Sequence, residues 1–407
     1  MTGTKMRPIR ETISVESALR QATEATKPLD RTEQIGLDSS AGRVLATTVI
    51  AARDVPPFDR AAMDGYAVIA KTTLGASRLE PRLLDCIETI HTGEVPAKKI
   101  EPGQCTQIAT GAPMPVGADS VVMVEETNRL DSNKVEVFTP VNPRQHIGRQ
   151  GADIASGTEL LQPEDLLTPS RVGSIAALGI ETLDVYAKPR VAILSTGNEI
   201  IAPGQPLGPG QIYDINRFTL SAVIREHGGI PVAFPTAPDS LDDLSRTVET
   251  CLDNDILVFS GGSSVGERDL TLDVIRHKGE VIFHGIAVKP GKPTAFGMID
   301  GTPVLGMPGY PTSCLSNAYI LLIPLLRRLA RLPAHRFRST SVPTAKRIVS
   351  TTGRHQFYTV RIVAGEAVAA FKASGDITSM SQADGYIEIP TQTEIVEKGT
   401  TVEVKLF

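Results

Sequence analysis

Two lysines lie three residues apart in the stretch "AVKPGKPTAFG", and each is followed by proline. Pro290 and Pro293 fix their own backbone φ and restrict the residues before them, so Lys289 and Lys292 should stand on a stiff, extended segment. Most surface lysines are simply solvated, and that alternative stays open here. Solvation requires no stiff backbone, however, so the pattern favours a site that holds an anion.

Two further loops carry groups that can bind phosphate. The first, "ILSTGNEI", offers two hydroxyls, a bare glycine backbone and a carboxylate from Ser195, Thr196, Gly197 and Glu199. The second, "FSGGSSVGERD", offers N–H and hydroxyl groups from Gly261, Gly262, Ser263 and Ser264. A Gly/Ser loop that leads into a helix binds phosphate because its N–H groups point at the ligand. The alternative is a tight turn that needs glycine for positive φ.

A third turn, "GMPGYPTS", contains Pro308 and precedes the last long helical pattern. We expect Thr312 or Ser313 to cap that helix, with its first N–H groups facing the same cleft. Neither a Walker A sequence nor a dinucleotide-binding G-x-G-x-x-G is present, so the usual nucleotide-binding classes are not supported.

Three carboxylates should converge beside these loops. Glu199, Asp239 and Asp269 come from separate loops that follow predicted strands. Mg²⁺ in proteins takes one or two carboxylates together with ligand phosphates. The sequence therefore predicts Mg²⁺ bridging a phosphorylated ligand. For Asp239, in "APDSLDDL", a plain helix N-cap is the alternative.

The elements that would position these loops alternate regularly after "YAKP", which ends at residue 189. The strands are predicted in "RVAILST", "PVAFPTA", "DILVFSGG", "EVIFHGIAV" and "PVLGMP". The helices are predicted in "NRFTLSAVIREHGG", "SLDDLSRTVETCLD", "RDLTLDVIRHKG" and "PTSCLSNAYILLIPLLRRLA". This alternation predicts a doubly wound, mostly parallel sheet with helices on both faces. Ligands of such sheets bind at the carboxyl ends of the strands.

The rest of the chain is organised differently. Two helical patterns, "SVESALRQATEAT" and "RTEQIGLDSSAGRVLA", come first, and Thr168 with Pro169 should begin a helix in "LLTPSRVGSIAALGI". Short alternating runs predict small β-rich units before and after the sheet domain. We predict an α/β multidomain protein with these boundaries: 1–50 with 141–182, a helical N-terminal and linking domain; 51–140, an inserted β-rich domain; 183–333, the α/β domain; and 334–407, a small β-domain.

Composition limits the partners. The chain has 407 residues, of which 41% are hydrophobic and 21% charged, and its formal net charge is −5. An acidic protein does not attract nucleic acid or anionic membranes in bulk, so neither is an expected partner. No signal peptide or membrane-spanning run is evident, and we expect a cytoplasmic protein. The thiols of Cys86, Cys105, Cys251 and Cys314 should be reduced and partly buried rather than zinc-bound, because no ligand spacing links them.

Eight motifs in order carry a specific resemblance. They are "PPFDRAAMDGYAV", "IATGAPMPVGADSVVMVEE", "GADIASGTELL", "ILSTGNEI", "GQIYDINR", "SGGSSVGERD", "VKPGKPTAFG" and "GMPGYPTS". From about residue 8 to its C-terminus, the chain resembles the molybdopterin molybdenumtransferase family, the relatives of the gephyrin E domain. The resemblance implies an elongated subunit with an inserted β-rich domain, a molybdopterin-binding sheet domain and a C-terminal β-barrel, assembled as a homodimer.

The resemblance also implies a reaction. Such enzymes take adenylylated molybdopterin and molybdate, cleave the phosphoanhydride with Mg²⁺, insert molybdenum at the dithiolene and release AMP. The implied catalytic residues are Asp64, Thr110, Glu199, Asp239 and Asp269, of which the last three would hold Mg²⁺. The expected substrate-binding residues are Asp153, Ser195, Thr196, Gly261, Gly262, Ser263, Ser264, Lys289, Lys292, Pro308 and Thr312.

Four positions depart from the family's common pattern: Asn198, Ser263, Gly285 and Tyr310. They change charge and hydrogen bonding at the site and bear on the choice between molybdate and tungstate. Two other functions remain open. One is a non-catalytic scaffold of the same fold, and the other is a molybdopterin adenylyltransferase that acts one step earlier.

Overall fold

The computed structural model describes residue 9 and residues 11–237, 240–261 and 270–407. The chain divides into two compact units. The large unit comprises Met1–Glu33, Gly42–Val44 and Val185–Phe407, and the small unit comprises Gln34–Ala41 and Leu45–Asp184. A multidomain α/β protein was predicted, and its coarse form is confirmed. The exact domain boundaries stay predictions.

The first helix and the first strand in the described part of the chain are α1, Val15–Ala25, and β1, Thr32–Gly36. The Ser14 side chain caps α1 by accepting a hydrogen bond from the amide of Ser17 at 3.1 Å. The second predicted helix, in "RTEQIGLDSSAGRVLA", was wrong. That segment forms β1 and a short 3₁₀ turn, because glycines 36 and 42 interrupt it and Gly42 has a φ of +78°.

The small unit is β-rich. Its elements are β2 (Val49–Ile50), β3 (Arg60–Ala61), β4 (Gly65–Val68), β5 (Arg82–Ile90), β6 (Gln104–Ile108), β7 (Ser120–Met123), β8 (Thr127–Arg129), β9 (Lys134–Val137), β10 (Ile147–Gly148), β11 (Glu159–Leu161) and α2 (Pro169–Ala177). A six-stranded sheet has the order β7-β4-β6-β5-β9-β8, in which β5 and β6 pair in parallel. As predicted, Thr168 caps α2: its hydroxyl oxygen accepts from the amide of Arg171 at 3.4 Å.

The central sheet of the large unit follows. Its segment contains β12 (Thr182–Tyr186), β13 (Arg190–Ser195), β14 (Ile200–Ile201), β15 (Ile212–Tyr213), α3 (Asn216–Glu226), β16 (Ile230–Ala233), α4 (Leu241–Cys251), β17 (Ile256–Ser260), α5 (Leu270–Lys278), β18 (Glu280–His284), β19 (Val288–Lys289), β20 (Ala295–Ile299), β21 (Thr302–Met307), α6 (Pro311–Asn317) and α7 (Ile323–Leu329). The sheet order is β16-β13-β17-β21-β20-β18. The first four strands are parallel, and β20 runs antiparallel to both of its neighbours.

Burial follows the alternation of side chains along each strand. Val191 and Ile193 of β13 pack in one core cluster with residues of α1, α3 and α7, whereas Ala192 and Leu194 pack in another with residues of α4 and α5. Both faces of the sheet are therefore covered, as the continuous apolar strands predict. Ser240 caps α4 through its hydroxyl, so the alternative reading of Asp239 as the N-cap was wrong.

One predicted strand is divided in the structure. "EVIFHGIAV" was expected to be continuous, but β18 ends at His284 and Gly285 adopts a φ of +95°. A Cβ at Gly285 would lie 2.5 Å from the Ile9 side chain, so only glycine fits this bend. After the bend, β19 leaves the central sheet and pairs in parallel with a strand of the C-terminal segment. Strand β20, which the sequence did not predict, lies between β21 and the edge strand β18 and runs antiparallel to both.

The last long helical pattern forms α6 and α7, joined by a π-helical segment, Ala318–Leu322. The predicted cap at Thr312 or Ser313 was wrong, because α6 begins after Tyr310 and no side chain caps it. Thr312 lies inside the helix, and its hydroxyl donates to the carbonyl oxygen of Asp376 at 2.8 Å.

The C-terminal segment contains β22 (Ser339–Pro343), β23 (Ile348–Val349), β24 (His355–Val363), β25 (Glu366–Ala369), α8 (Thr378–Ser381), β26 (Gly385–Ile389), β27 (Ile395–Val396) and β28 (Thr401–Leu406). These strands pair in the order β19-β24-β26-β28-β22, with β25 also on β24. Closure of this segment into a barrel stays a prediction.

The four cysteines are free and buried. In the part of the chain that the structure describes, no helix is both long and apolar enough to cross a bilayer.

Candidate functional site

The large unit has a cavity of about 1490 Å³ at the carboxyl ends of the parallel strands. Loops after β13, β17 and β21, the "KPGKP" segment and part of the C-terminal segment line it. Seven of the predicted site residues meet here: Ser195, Thr196, Glu199, Gly261, Lys289, Lys292 and Pro308. Residues that are distant in sequence thus converge at the strand ends, where ligands of α/β sheets bind.

Other predicted residues lie elsewhere. Thr312 is fully buried and does not line the cavity, and Asp64, Thr110 and Asp153 belong to the small unit. Five predicted residues lie outside the described residues: Asp239, Gly262, Ser263, Ser264 and Asp269. Their roles stay predictions.

A buried carboxylate organises the floor of the cavity. Asp214 is 7% exposed, and its Oδ2 accepts a hydrogen bond from the Ser195 hydroxyl at 2.7 Å. Its Oδ1 accepts from the amide of Arg217 at 3.0 Å, at the start of α3. Asp214 therefore fixes the end of β13 to the first turn of α3. The Ser195 hydroxyl donates its proton to Asp214, so in its predicted role in substrate binding it would accept a hydrogen bond from the substrate rather than donate one.

Glu199 lies over a bare piece of backbone. Gly197 has a φ of +134°, and a Cβ there would meet the Glu199 carboxylate oxygens at 2.7 and 2.8 Å. Only glycine therefore lets the carboxylate lie across this turn. Glu199 and Asp214 give the described lining two carboxylates, the oxygen ligands that Mg²⁺ prefers.

Mg²⁺ fits this donor set as an ion held partly by the protein and partly by its ligand. Within residues 9, 11–237, 240–261 and 270–407, no group of three or more His, Cys, Asp or Glu is arranged to hold a metal ion by itself. One or two carboxylates completed by phosphate oxygens and water are a usual arrangement for Mg²⁺. The two other predicted ligands, Asp239 and Asp269, lie outside the described residues.

Cations surround the cavity although the whole chain is acidic. The described lining contains four cationic side chains and two carboxylates; the cations are Lys289, Lys292, Arg354 and Lys372. The Lys289 ammonium donates to the Thr351 hydroxyl at 2.7 Å, and the Lys292 ammonium donates to the carbonyl of Ile9 at 2.7 Å. Each ammonium has three protons, so these contacts orient both lysines and leave donors for a ligand.

A buried asparagine holds the "KPGKP" loop from beneath. The Asn317 amide nitrogen donates to the carbonyl of Gly291 at 2.9 Å and to the Thr294 hydroxyl at 2.5 Å. Asn317 is fully buried in α6, and Gly291 has a φ of +109°. The turn between the two lysines is thus fixed by packing as well as by its prolines.

A Gly291→Ala substitution should disrupt this turn. The new Cβ would overlap the Asn317 amide, and alanine at this positive φ adds strain. The matched control is Gly301→Ala, because Gly301 has a φ of +80° with nothing within 4 Å of its Cβ position. We expect the control to lose about 1–2 kcal/mol of unfolding free energy and Gly291→Ala roughly 2 kcal/mol more, measured by urea denaturation. Equal losses would mean that Asn317 moves aside freely.

In the small unit, two predicted residues from separate motifs meet. The Oδ1 atom of Asp64 accepts hydrogen bonds from the amide of Thr110 at 2.6 Å and from its hydroxyl at 2.8 Å. These bonds lower the pKa of the Asp64 carboxyl, chiefly through the backbone amide. Both residues are exposed, so the pair presents an ionised carboxylate at the surface of this unit.

Sequence reasoning missed several residues of the cavity. Asp214 and Asn216 lie in "YDINR", where a polar pair follows a short strand and begins a helix, and that pattern could have been read as a strand-end site. Arg354, Lys372 and Ser374 come from the C-terminal segment. No local signal in the sequence links them to the sheet domain. They reach the cavity because β19 pairs with β24, and sequence spacing does not reveal that pairing.

Comparison with known proteins gives a consistent result over nearly the whole chain. Residues 13–179 match the MoeA N-terminal region (domain I and II), residues 192–328 a probable molybdopterin binding domain, and residues 341–407 the MoeA C-terminal region (domain IV). These matches follow one another in the order that the motifs predict.

Individual relatives agree. Molybdopterin molybdenumtransferase 2 of Mycobacterium tuberculosis is 35% identical, over 91% of this chain and 94% of the relative. Molybdopterin molybdenumtransferase of Bacillus subtilis is 31% identical, over 98% of this chain and 95% of the relative. The crystal structure of the molybdopterin biosynthesis MoeA protein from Pyrococcus horikosii has a TM-score of 0.84 and 39% identity, covering 97% of this chain and 99% of that chain. The chain therefore belongs to the MoeA family, the molybdopterin molybdenumtransferases.

Proposed function

We propose that this chain is a molybdopterin molybdenumtransferase, which inserts molybdenum from molybdate into adenylylated molybdopterin and releases AMP. The observation that carries the proposal is the cluster of cations at the strand ends of an acidic protein that belongs to this family. Both substrates are anions. A local excess of positive charge attracts them, whereas the net charge of the chain does not.

The cationic side chains bind and orient the substrates in this proposal. Lys289 and Lys292 stand on a stiff turn and contact the phosphate bridge or the molybdate. Arg354 and Lys372, from the C-terminal segment, contribute further positive charge to the same cavity. Because hydrogen bonds hold Lys289, Lys292 and Lys372 before the ligand arrives, these three side chains need little reorganisation on binding.

Glu199 would hold Mg²⁺ together with the phosphate oxygens, and the predicted ligands Asp239 and Asp269 would complete the site. When bound, Mg²⁺ would supply positive charge beside the phosphoanhydride. Asp214 has a structural role as well, because its two oxygens accept hydrogen bonds from the Ser195 hydroxyl and the Arg217 amide. It keeps Ser195 and the first turn of α3 fixed while the ligand is bound.

Removal of a cavity lysine should weaken anion binding. We expect Lys289→Ala to lower the affinity for AMP about tenfold at low salt, because a charge-assisted hydrogen bond is lost. The loss should shrink as salt rises and screens the contact. Calorimetric titration at two salt concentrations measures both effects. Lys398→Ala, at an exposed position outside the cavity lining, is the control. Normal affinity of Lys289→Ala at low salt would show that Lys289 is merely solvated.

The function itself is tested by measuring AMP release from adenylylated molybdopterin. Molybdate-dependent release supports the proposal. ATP-dependent adenylylation of free molybdopterin would instead indicate the adenylyltransferase, and binding without turnover would indicate the non-catalytic scaffold. Molybdate and tungstate should be assayed side by side, since Asn198, Ser263, Gly285 and Tyr310 bear on that choice.

We further propose that the protein is a homodimer, as the family resemblance suggests, and that it works in the cytoplasm. Sedimentation equilibrium measures the first part and fractionation of cells the second. The dimer has a consequence for the predicted roles of Asp64 and Thr110, because a symmetric pair of subunits can complete each other's sites.

A further inference from the structure

An exposed aromatic ring lies among the residues that line the cavity. Tyr310 retains 66% of its accessible surface. Building on the proposed function, we infer that the Tyr310 ring is a stacking platform for a planar nitrogen heterocycle of the ligand. The exposed ring and the fixed backbone beneath it carry this inference.

The backbone around Tyr310 is held at several points. The carbonyl of Gly309 accepts a hydrogen bond from the Asn216 amide at 2.8 Å, and the carbonyl of Tyr310 accepts from the amide of Cys314 at 2.9 Å. Pro311 follows at the first position of α6 and restricts Tyr310 to an extended backbone, which has φ −67° and ψ 129°.

The next residue is tied to the C-terminal segment. The amide of Thr312 donates to the carbonyl of Ser374 at 3.1 Å, and the Thr312 hydroxyl donates to the carbonyl of Asp376 at 2.8 Å. Tyr310 is therefore the exposed member of a turn whose neighbours are fixed on both sides. An aromatic side chain has only two rotatable bonds, so ordering this ring against a ligand costs little entropy.

Glycine lies beside the ring on the C-terminal segment. A Cβ built at Gly375 would lie 3.7 Å from Cδ1 and 3.9 Å from Cε1 of Tyr310. A larger side chain at this position would therefore cover part of the ring. With glycine there, the ring packs close to backbone and much of its surface stays accessible.

The surrounding charges indicate which ligand suits the ring. Lys289, Lys292, Arg354 and Lys372 bind the phosphate portion of a nucleotide-like ligand, and an aromatic face binds the flat base joined to it. Stacking on an aromatic ring accepts any flat heterocycle, because the contact uses the π-face rather than specific edges. Adenine and pterin both have this chemistry, and the proposed substrate contains both.

The chain has no tryptophan, which gives a direct test. A Tyr310→Trp substitution creates a single indole reporter at the proposed platform. Its fluorescence should be quenched saturably by AMP or by free pterin, and it should not respond to ribose 5-phosphate. Leu79→Trp, at a 95% exposed position of the small unit, reports any optical effect of the ligands themselves. Equal responses from both reporters would overturn the inference.

Affinity measurements on the native aromatic position complete the test. Tyr310→Ala should lose about tenfold in affinity for whichever heterocycle stacks there, AMP or pterin, and Tyr310→Phe should restore it. Affinity for ribose 5-phosphate should not change. Unchanged affinity of Tyr310→Ala for both heterocycles would overturn the inference.

The turnover assay separates this result from the proposed function. An enzyme that releases AMP with molybdate, but whose Tyr310→Ala variant keeps the wild-type KM, would refute the stacking platform alone. A raised KM with little change in kcat is expected, because stacking binds the ground state and the transition state alike. Failure of the wild type to release AMP would refute the proposed function.

Discussion

A Glu199→Gln enzyme should release AMP at least about a hundredfold more slowly than the wild type, because the substitution removes one negative charge from the proposed Mg²⁺ site. The carboxylate lies over Gly197 in the cavity and contributes no apolar packing, so the fold should be unaffected. We therefore expect the urea midpoint of the variant to match that of the wild type. The concentration of Mg²⁺ needed for half-maximal rate should also rise.

The matched control is Glu280→Gln. Glu280 is exposed at the start of β18 and does not line the cavity. The Glu280→Gln enzyme should therefore keep the wild-type rate of AMP release and the wild-type Mg²⁺ requirement. A wild-type rate for Glu199→Gln in saturating Mg²⁺ would remove Glu199 from the catalytic residues and leave the ion to Asp239 and Asp269.

Two inactive variants should regain activity when their subunits are mixed. We hypothesise that Asp64 and Thr110 of one subunit complete the cavity of its partner in a twofold dimer. In a heterodimer of Asp64→Ala and Glu199→Ala subunits, one site then carries both lesions and the other carries neither. Random exchange of equal amounts makes half of the dimers mixed, so about a quarter of wild-type activity is expected.

The measurement is AMP release before and after subunit exchange, with exchange verified by mass spectrometry of differently tagged subunits. Each homodimer alone should be nearly inactive. A verified heterodimer that remains inactive would falsify the hypothesis and assign Asp64 to a site within its own chain. Mixing Glu199→Ala with Lys289→Ala subunits is the control: both residues line the same cavity, so no site in that heterodimer is intact and exchange should add nothing to the mean activity of the two homodimers.

The central sheet was the most predictable part of the fold. Apolar runs such as "RVAILST" and "DILVFSGG", when they alternate with helical patterns, indicate parallel strands that are buried on both faces. Strands with one face in solvent would alternate apolar and polar residues instead. The cavity residues at the ends of β13, β17 and β21 were predictable for the same reason. Their positions follow from the rule that parallel strands present their carboxyl ends at one edge of the sheet.

The antiparallel strand β20 and the contribution of the C-terminal segment could not be predicted in this way. Nothing local distinguishes β19 from a continuation of β18, since Gly285 packs against Ile9 from the other end of the chain and β19 pairs with β24 of the C-terminal segment. The second N-terminal helix failed for a related reason. Helical spacing of apolar residues was present, but it was outweighed by two glycines and by pairing that sequence spacing does not reveal.

The parallel pairing of β19 with β24 joins the "KPGKP" turn directly to the C-terminal sheet. Val288 and Lys289 pair with His355 and Gln356, and the Lys289 ammonium also bonds to Thr351. A ligand that immobilises Lys289 therefore acts on β24 as well, and its binding free energy opposes local opening of that strand. Amide protons of β24 should thus exchange more slowly with solvent when a ligand occupies the "KPGKP" turn. A chain truncated before β22 would lose Thr351 and β24, the partners that hold Lys289 in place.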